Sequence, residues 1–224
     1  MTQAITDTTD LTRMREAMVA SQLRTNAVSD PRVVAAMARV PREEFLPETQ
    51  RGLAYRDTAV PIAHGRAANL PIATGKLLTR ADVRPTDHVL LIGAAGGYAA
   101  AVLAMLAKDV VAVESDPALV AIARKALAPY ANVELIEGDL AAGAPAVAPY
   151  DLLVVDGAVQ HLPQALIDQI KPGGRVVAGL DDNGVTRLAA GVRTDGGFGL
   201  ASFADVDCVM LPGFARPRAF TFTP

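Results

Sequence analysis

The sequence predicts a doubly wound, mostly parallel α/β sheet that follows an N-terminal helical annex. From residue 89 onward, short apolar segments typical of buried strands alternate with helical segments, the order that builds a parallel sheet with helices on both faces. Before that point, helical periodicity and irregular segments replace the strand pattern. We therefore assign residues 1–80 to the annex and a loop that follows it, and residues 81–224 to the sheet-forming core.

Two amphipathic helices are predicted in the annex, at residues 11–23 and 31–40. Asp30 precedes a proline at the first helical position, which is a common start of a helix. Residues 41–64 are predicted to be mostly irregular. Because ligands of open α/β sheets bind at the carboxyl ends of the strands, we expect the annex to pack there and cover the ligand.

The first part of the core predicts a strand, a glycine turn, a helix and a second strand. The strands are expected at residues 89–92 and 110–113, and the apolar helix at residues 98–107. Glu114 ends the second strand, about twenty residues beyond Gly93, the first glycine of the turn. A parallel sheet places an acid at this position within reach of a ribose hydroxyl. The unit therefore predicts a nucleoside site.

The glycine turn distinguishes between two nucleoside cofactors. A dinucleotide fold requires glycine at the first, third and sixth turn positions, but these positions hold Gly93, Ala95 and Tyr98. The Gly-x-Gly-x-Gly pattern of S-adenosylmethionine enzymes fits better, with Gly93, Ala95 and Gly97. That cofactor has no diphosphate, so close approach of the backbone to phosphate is not required. We therefore predict S-adenosylmethionine rather than NAD.

The remainder of the core continues the alternation. Asp116 caps a helix that runs to about residue 127. Residues 150–155 are nearly all apolar, as expected for a central strand buried on both faces, and this strand is predicted to end at Asp156. The last two strands are expected to be antiparallel. The other predicted segments are a strand at 133–136, a helix at 163–170, a turn at 171–174, and strands at 175–178, 186–193 and 203–211.

Composition and charge exclude several other classes of protein. The chain of 224 residues has 21 basic and 24 acidic residues and a net charge of −3, without runs of either sign. It therefore offers no electrostatic surface for nucleic acid or an anionic membrane. Residues 89–107 are uncharged and long enough to span a bilayer, but their glycine pair and extended start favour a turn. The single Cys208 predicts a buried thiol, and the lack of a hydrophobic signal core predicts a cytoplasmic enzyme.

Several motifs resemble the protein-L-isoaspartate O-methyltransferase family over roughly residues 15–178. The late glycine motifs are shared by many methyltransferases, whereas the combination in the annex is much more specific. The motifs are Met-Val-Ala-Ser-Gln-Leu-Arg at 18–24, Asp-Pro-Arg-Val at 30–33, Val-Pro-Arg-Glu-Glu-Phe-Leu-Pro at 40–47, Ala-Tyr-Arg-Asp at 54–57, Pro-Ile-Ala-His-Gly at 61–65, the glycine turn with Tyr98, Glu114, Gly-Asp at 138–139 and Lys-Pro-Gly-Gly at 171–174.

The resemblance implies a Rossmann-like class I methyltransferase with S-adenosylmethionine as cofactor. Glu114 would accept hydrogen bonds from the ribose hydroxyls, and Asp139, with the backbone of Leu140, would lie against adenine. Residues 65–71 would form the loop over the reacting methyl group. The cofactor-binding residues implied in this way are Gly93, Ala95, Gly97, Tyr98, Glu114, Ser115, Asp139 and Leu140.

The loop departs from the family pattern Gly-Gln-Thr-Ile-Ser-Gln-Pro. Arg66 replaces its glutamine, Ala67 its threonine and Asn69 its serine. Leu91 also stands where an acid usually precedes the glycine turn. Two small hydroxyl groups are lost and a cation is gained. We therefore expect an altered methyl acceptor, either a protein, a peptide or a small molecule, and poor methylation of isoaspartyl peptides.

Methyl transfer from a sulfonium requires few catalytic side chains, because alignment of the acceptor supplies much of the catalysis. A carboxylate acceptor needs no general base, whereas a hydroxyl or an amine needs a base or a metal. His64 is the best-placed histidine, because it lies in the loop region, whereas His88 opens a buried strand. The candidate catalytic residues are Asn69, Asp156 and His64.

Two alternatives stay open. Catechol-type O-methyltransferases hold a divalent ion with an acid after strand four and an Asp-Asn pair after strand five, which Asp156, Asp182 and Asn183 could supply. Residues 181–184 also have the composition of an ordinary turn, so we predict no metal. The second alternative is a non-catalytic descendant that binds a nucleoside or a protein partner.

Overall fold

The computed structural model describes residues 8–216 of the chain. Within this range, strands and helices alternate as the sequence predicts. The helices are α1 Thr8–Met18, α2 Pro31–Arg39, α3 Pro71–Ala81, α4 Tyr98–Ala104, α5 Pro117–Ala126 and α6 Gln164–Ile167. The strands are β1 Val60–Ala63, β2 Arg66–Ala68, β3 His88–Ile92, β4 Asp109–Glu114, β5 Val133–Glu137, β6 Tyr150–Val159, β7 Ile170–Asp182, β8 Val185–Val192 and β9 Ala201–Asp205.

Seven strands form the central sheet, in the order β5-β4-β3-β6-β7-β8-β9. The pairs from β5 to β7 are parallel, whereas β7–β8 and β8–β9 are antiparallel. The predictions of a mostly parallel sheet and an antiparallel ending are therefore confirmed. β1 and β2 form a separate two-stranded hairpin.

Both faces of the sheet are covered, as the uninterrupted apolar strands require. Alternate residues of β3 point to opposite faces, so Val89 and Leu91 join one apolar cluster, and Leu90 and Ile92 join the other. The first cluster contains buried residues of the annex, α3 and α4. The second contains buried residues of α6 and the segment after β9.

The annex contains the two predicted helical regions. α1 continues into a single π-helical turn at Val19–Leu23, and α2 is capped by Asp30, which accepts a hydrogen bond from the Arg32 N–H at 2.8 Å. Residues 41–64 were predicted to be mostly irregular, which is wrong in part. They contain 3₁₀ turns at Arg42–Phe45 and Glu48–Leu53, and the strand β1.

The prediction that β6 ends at Asp156 is wrong, because the strand continues to Val159. Beyond Asp156, Ala158 and Val159 pair with Gly179 and Leu180 of β7, and the segment after β9, residues 206–211, crosses this end of the sheet as a second partner of Ala158. The Ala158 N–H donates to the Val209 carbonyl at 2.7 Å, and the Leu211 N–H donates to the Ala158 carbonyl at 3.0 Å. We call residues 206–211 the C-terminal strap.

The strap also explains why the last predicted strand is wrong in its bounds, since β9 ends at Asp205. The predicted helix at 163–170 is reduced to the short α6. Its last predicted turn is drawn into the sheet, because the Tyr150 N–H donates to the Gln169 carbonyl at 2.8 Å and Ile170 pairs with Tyr150. The predicted turn at 171–174 is consequently an irregularity within β7. α4 also stops at Ala104, earlier than predicted.

Two residues that the sequence analysis discussed, His88 and Cys208, have structural surroundings that do not favour a catalytic role. His88 begins β3 at the opposite end from the turn and stacks on Tyr150 at 4.5 Å between ring centroids. Cys208 lies in the strap and is half-buried, and burial raises the pKa of its thiol to about 12. Across residues 8–216, no helix has both the length and the apolar character needed to cross a bilayer.

Candidate active site

The glycine turn between β3 and α4 lies against the end of β4. Gly93, Ala95 and Gly97 have φ angles of 82°, 49° and 101°, left-handed values that a β-carbon disfavours. Ala95 adopts this conformation with its N–H donating to Oε2 of Glu114 at 2.8 Å. The turn residues named from the sequence and the acid at the end of β4 are therefore in direct contact.

Gly96 is a site residue that the sequence pattern missed. A β-carbon at this position would lie 1.9 Å from the carbonyl oxygen of Phe45 in the annex. The Gly-x-Gly-x-Gly pattern counts alternate positions of the turn and passes over this one. The missing signal was the second glycine of the Gly96-Gly97 pair, where absence of a side chain lets the annex backbone reach the turn.

Glu114 is completely buried at the carboxyl end of β4. The backbone N–H groups of Ala95, Ser115 and Asp116 donate to its carboxylate at 2.8, 2.8 and 3.1 Å. Ser115 therefore orients Glu114 through its backbone. The Gly138 N–H donates to the Glu114 carbonyl at 3.0 Å, which brings the end of β5 beside the end of β4.

Asp139 and Leu140 follow β5 at this same edge. Asp139 is exposed and Leu140 is buried. The Asp139 carboxylate accepts a hydrogen bond from the Ala141 N–H at 2.9 Å. The structure therefore brings the glycine turn, Glu114, Ser115, Asp139 and Leu140 to one edge of the sheet, as the nucleoside interpretation predicts.

Arg66 is the unexpected member of this edge. Its Nη1 and Nη2 donate to Oε1 and Oε2 of Glu114 at 2.8 and 3.0 Å, a bidentate ion pair. The side chain of Arg66 is 10% exposed and that of Glu114 is 0% exposed. The sequence placed Arg66 over the reacting methyl group, whereas β2 carries it to the acid expected to bind ribose.

His64 lies at the tip of the β1–β2 hairpin, outside this buried edge. His64 and Gly65 have φ angles of 49° and 75°, as a tight two-residue hairpin turn requires. The His64 side chain is 68% exposed, and its Nδ1 lies 2.8 Å from Oδ2 of Asp116. Partial burial raises the pKa of Asp116, but hydrogen bonds from His64 and from the start of α5 outweigh it and lower the pKa.

Asn69 and Asp156 form a second, buried cluster. The Asn69 Nδ2 donates to Oδ1 of Asp156 at 3.0 Å, and the Thr74 hydroxyl donates to the same oxygen at 2.8 Å. The Asn69 Oδ1 accepts a hydrogen bond from the Val209 N–H of the strap at 3.2 Å. Burial raises the pKa of Asp156, although the hydrogen bonds from Asn69 and Thr74 oppose this. Thr74 was not singled out in the sequence, because α3 was not predicted.

Arg42 and Tyr98 connect this cluster to the annex. The Arg42 guanidinium lies 4.6 Å from the centroid of the Tyr98 ring, and its Nε donates to the Ala54 carbonyl at 2.9 Å. Burial lowers the pKa of Arg42 and raises that of Tyr98 to about 12. The buried Tyr98 hydroxyl has no hydrogen-bond partner among residues 8–216.

A cavity of about 10 Å³, with room for about one water molecule, lies between the annex and the glycine turn, next to the close approach of Phe45 to Gly96. Its polar side chains are those of Asn69, Asp156, Arg42 and Tyr98, and the glycine turn forms another wall, so the cavity joins the buried cluster to the turn. It is lined by Arg42, Phe45, Leu46, Ala68, Asn69, Ala94, Ala95, Gly96, Tyr98, Ala99 and Asp156.

Asn183 and Gly184 form the two-residue hairpin turn between β7 and β8, and Asp181 and Asp182 are the last residues of β7. Asn183 and Gly184 have φ angles of 55° and 87°, and the Gly184 N–H donates to Asp181 Oδ1 at 2.9 Å. Asp182 is exposed, whereas Asp156 is buried. In the part of the chain that the structure describes, no group of three His, Cys, Asp or Glu residues could hold a metal ion.

Residues 13–211 match the family described as Protein-L-isoaspartate(D-aspartate) O-methyltransferase. The chain belongs to this family. It is 42% identical over 208 residues to Protein-L-isoaspartate O-methyltransferase 1 of Rhodopseudomonas palustris, covering 92% of this chain and 82% of the relative. It is 39% identical over 186 residues to a protein-L-isoaspartate O-methyltransferase of Methanoculleus marisnigri, covering 82% of this chain and 84% of that one.

Solved structures show the same fold. A protein-L-isoaspartate O-methyltransferase structure superposes with a TM-score of 0.76 at 24% identity, covering 89% of this chain and 66% of that chain. A second structure, from Plasmodium falciparum, is described as a putative protein-L-isoaspartate O-methyltransferase in complex with S-adenosyl-L-homocysteine. It superposes with a TM-score of 0.75 at 18% identity, covering 87% of this chain and 96% of that chain. The predictions of the family, the Rossmann-like fold, a methyltransferase and S-adenosylmethionine as its cofactor are confirmed.

Proposed function

We propose that this protein transfers the methyl group of S-adenosylmethionine to a carboxylate of a protein or peptide, with an acceptor other than the isoaspartyl group. Glu114 would bind the two ribose hydroxyls. The Arg66 pair supports this role, since Arg66 makes with both carboxylate oxygens the bidentate contact that a diol would make. Asp139 and Leu140 would lie beside adenine, and the turn at Gly93 would receive the methionine end.

A carboxylate acceptor agrees with the side chains of the buried cluster. S-adenosylmethionine supplies a methyl group on a sulfonium. A carboxylate oxygen attacks the methyl carbon, the ester O–C bond forms as the C–S bond breaks, and S-adenosylhomocysteine leaves as a neutral thioether, so no proton has to be removed. No general base is then needed. His64, the histidine with the best claim from sequence, is exposed at the hairpin tip and paired with Asp116. We infer that His64 positions the hairpin and that Asn69 and Asp156 line the acceptor side.

The observation that supports an altered acceptor is that the Asn69 side chain is already hydrogen-bonded within the protein. Its amide donates to Asp156 and its carbonyl oxygen accepts from Val209, so both polar atoms are used within the protein. The family's serine would present a smaller hydroxyl at this position. A site that orients an acceptor loses rate steeply when geometry shifts, since a displacement of about 1 Å can cost about a hundredfold.

The test is methyl transfer from labelled S-adenosylmethionine to an isoaspartyl peptide, with the matched aspartyl peptide as substrate control. We expect at most weak activity in the wild type and a gain in Asn69→Ser. Asn26→Ser, at an exposed annex position, is the matched control and should behave as the wild type. Robust isoaspartyl methylation by the wild type would show that the acceptor is unaltered.

A further inference from the structure

Arg66 occupies the positions on Glu114 that a ribose would need. A carboxylate offers about four acceptor positions. Five N–H contacts already occupy them, from Ser115, Asp116 and Arg66 Nη1 on Oε1 and from Ala95 and Arg66 Nη2 on Oε2, so no acceptor position is left. Two ribose hydroxyls would have to bind where Arg66 binds. The two arrangements therefore exclude each other.

The hairpin that carries Arg66 is anchored at its base, where Val60 and Ala68 are buried in the first apolar cluster, whereas its tip meets the core through side-chain contacts. β1 and β2 pair with each other and lie outside the seven-stranded sheet. An isolated two-stranded hairpin is only marginally stable in water, so its contacts with the core hold it in place. Two such contacts lie side by side at this edge, Arg66 with Glu114 and His64 with Asp116. Both join the hairpin to the end of β4 and the start of α5.

We propose that Arg66 and the β1–β2 hairpin form a latch on the cofactor site, which is closed when Arg66 pairs with Glu114 and which must open before the ribose can bind. The latch rests on the proposed function, in which Glu114 is the ribose ligand. The apparent dissociation constant equals the intrinsic one divided by the fraction of open molecules. Association is also slowed, because binding requires a conformational change.

The test is calorimetric titration of the full-length protein with S-adenosylhomocysteine, which presents the same ribose. Arg66→Gln removes the charge and should tighten binding by about threefold to tenfold, since more molecules are open. Surface plasmon resonance should show that the gain comes from faster association. Arg39→Gln, exposed on α2, is the control and should leave binding unchanged. The double variant Arg66→Gln/Glu114→Ala should bind no more tightly than Glu114→Ala alone, because the latch acts through Glu114.

Arg66→Lys extends the series, because a lysine keeps the charge but not the bidentate contact. Affinity should rise in the order Arg, Lys, Gln, and any other order among the folded variants overturns the latch. Equal or weaker binding by Arg66→Gln, with weaker binding by Glu114→Ala, overturns the latch and leaves the ribose assignment intact. Absence of binding by the wild type and every variant overturns the proposed function, and the latch with it.

Discussion

Replacement of Gly96 by alanine is expected to disrupt the packing of the annex against the glycine turn. The added β-carbon would lie 1.9 Å from the Phe45 carbonyl oxygen and 3.0 Å from its carbonyl carbon. An ordinary contact needs roughly 3.5 Å, so the backbone of Phe45 must move by more than an ångström. A backbone atom in a buried 3₁₀ turn cannot rotate aside, unlike the end of a flexible side chain.

The size of the effect follows from what Phe45 contacts. Its ring packs edge-on against Tyr98 at 5.9 Å and tilted against Tyr130 at 6.4 Å, and the residue is 2% exposed. Overpacking a core costs about 1–3 kcal/mol. We expect the upper end of this range for Gly96→Ala, since the aromatic contacts move with the backbone. A cost of about 3 kcal/mol corresponds to a fall of roughly 6–12 °C in the midpoint of thermal unfolding.

Urea and thermal unfolding of the purified variant measure this loss. Gly52→Ala is the matched control, because Gly52 also lies in a 3₁₀ turn of the annex and a β-carbon there meets nothing within 4 Å. Its free energy of unfolding should equal or exceed that of the wild type. Equal values for Gly96→Ala and Gly52→Ala would refute the contact between the annex and the turn.

Three further outcomes are expected. Glu114→Ala should weaken binding of S-adenosylhomocysteine by about 1–3 kcal/mol, as calorimetry would measure, and an unchanged affinity would remove Glu114 from the ribose site. Methyl transfer should be unaffected by excess EDTA, whereas loss of activity restored by Mg²⁺ would favour a divalent ion at Asp156. Hydrogen bonds hold the pKa of Asp116 below 3.8 despite partial burial, so its stabilising contribution is present above pH 3.8 and lost as the pH falls through the lowered value. The thermal midpoint of Asp116→Asn should therefore decline less in acid than that of the wild type, and identical acid profiles would contradict this role.

The part of the site that the sequence predicted is the part formed by residues close together in the chain, from β3 through the glycine turn and β4 to the cap at Asp116. The continuous apolar runs of β3 and β4, and the glycines between β3 and α4, are signals carried by neighbours within a few positions. The same holds for the cap at Asp116, which accepts hydrogen bonds from Ala118 and Leu119 as a cap should. The order of strand, turn, helix and strand therefore predicted that Glu114 ends β4 beside the glycine turn, because a parallel sheet brings its carboxyl ends to one edge.

Long-range contacts account for what the sequence did not predict. Asp156 lies within β6 because β7 and the strap both pair with the strand beyond it, and Arg66 lies on Glu114 because the β1–β2 hairpin reaches the end of β4. Neither partner is close in sequence. α3 was not predicted, although it begins with Pro71, a common first helical residue.

The C-terminal strap has a consequence for synthesis of the chain. Leu211 packs against Gly93 so closely that a β-carbon on the glycine would lie 2.7 Å from Leu211 Cδ1, and the strap also supplies the Val209 N–H that Asn69 accepts. The turn and its strand leave the ribosome long before these residues do. During translation the apolar edge around Gly93 therefore stays uncovered, and chaperones have access to it. The native cofactor site can therefore form only after the C-terminal strap has emerged from the ribosome.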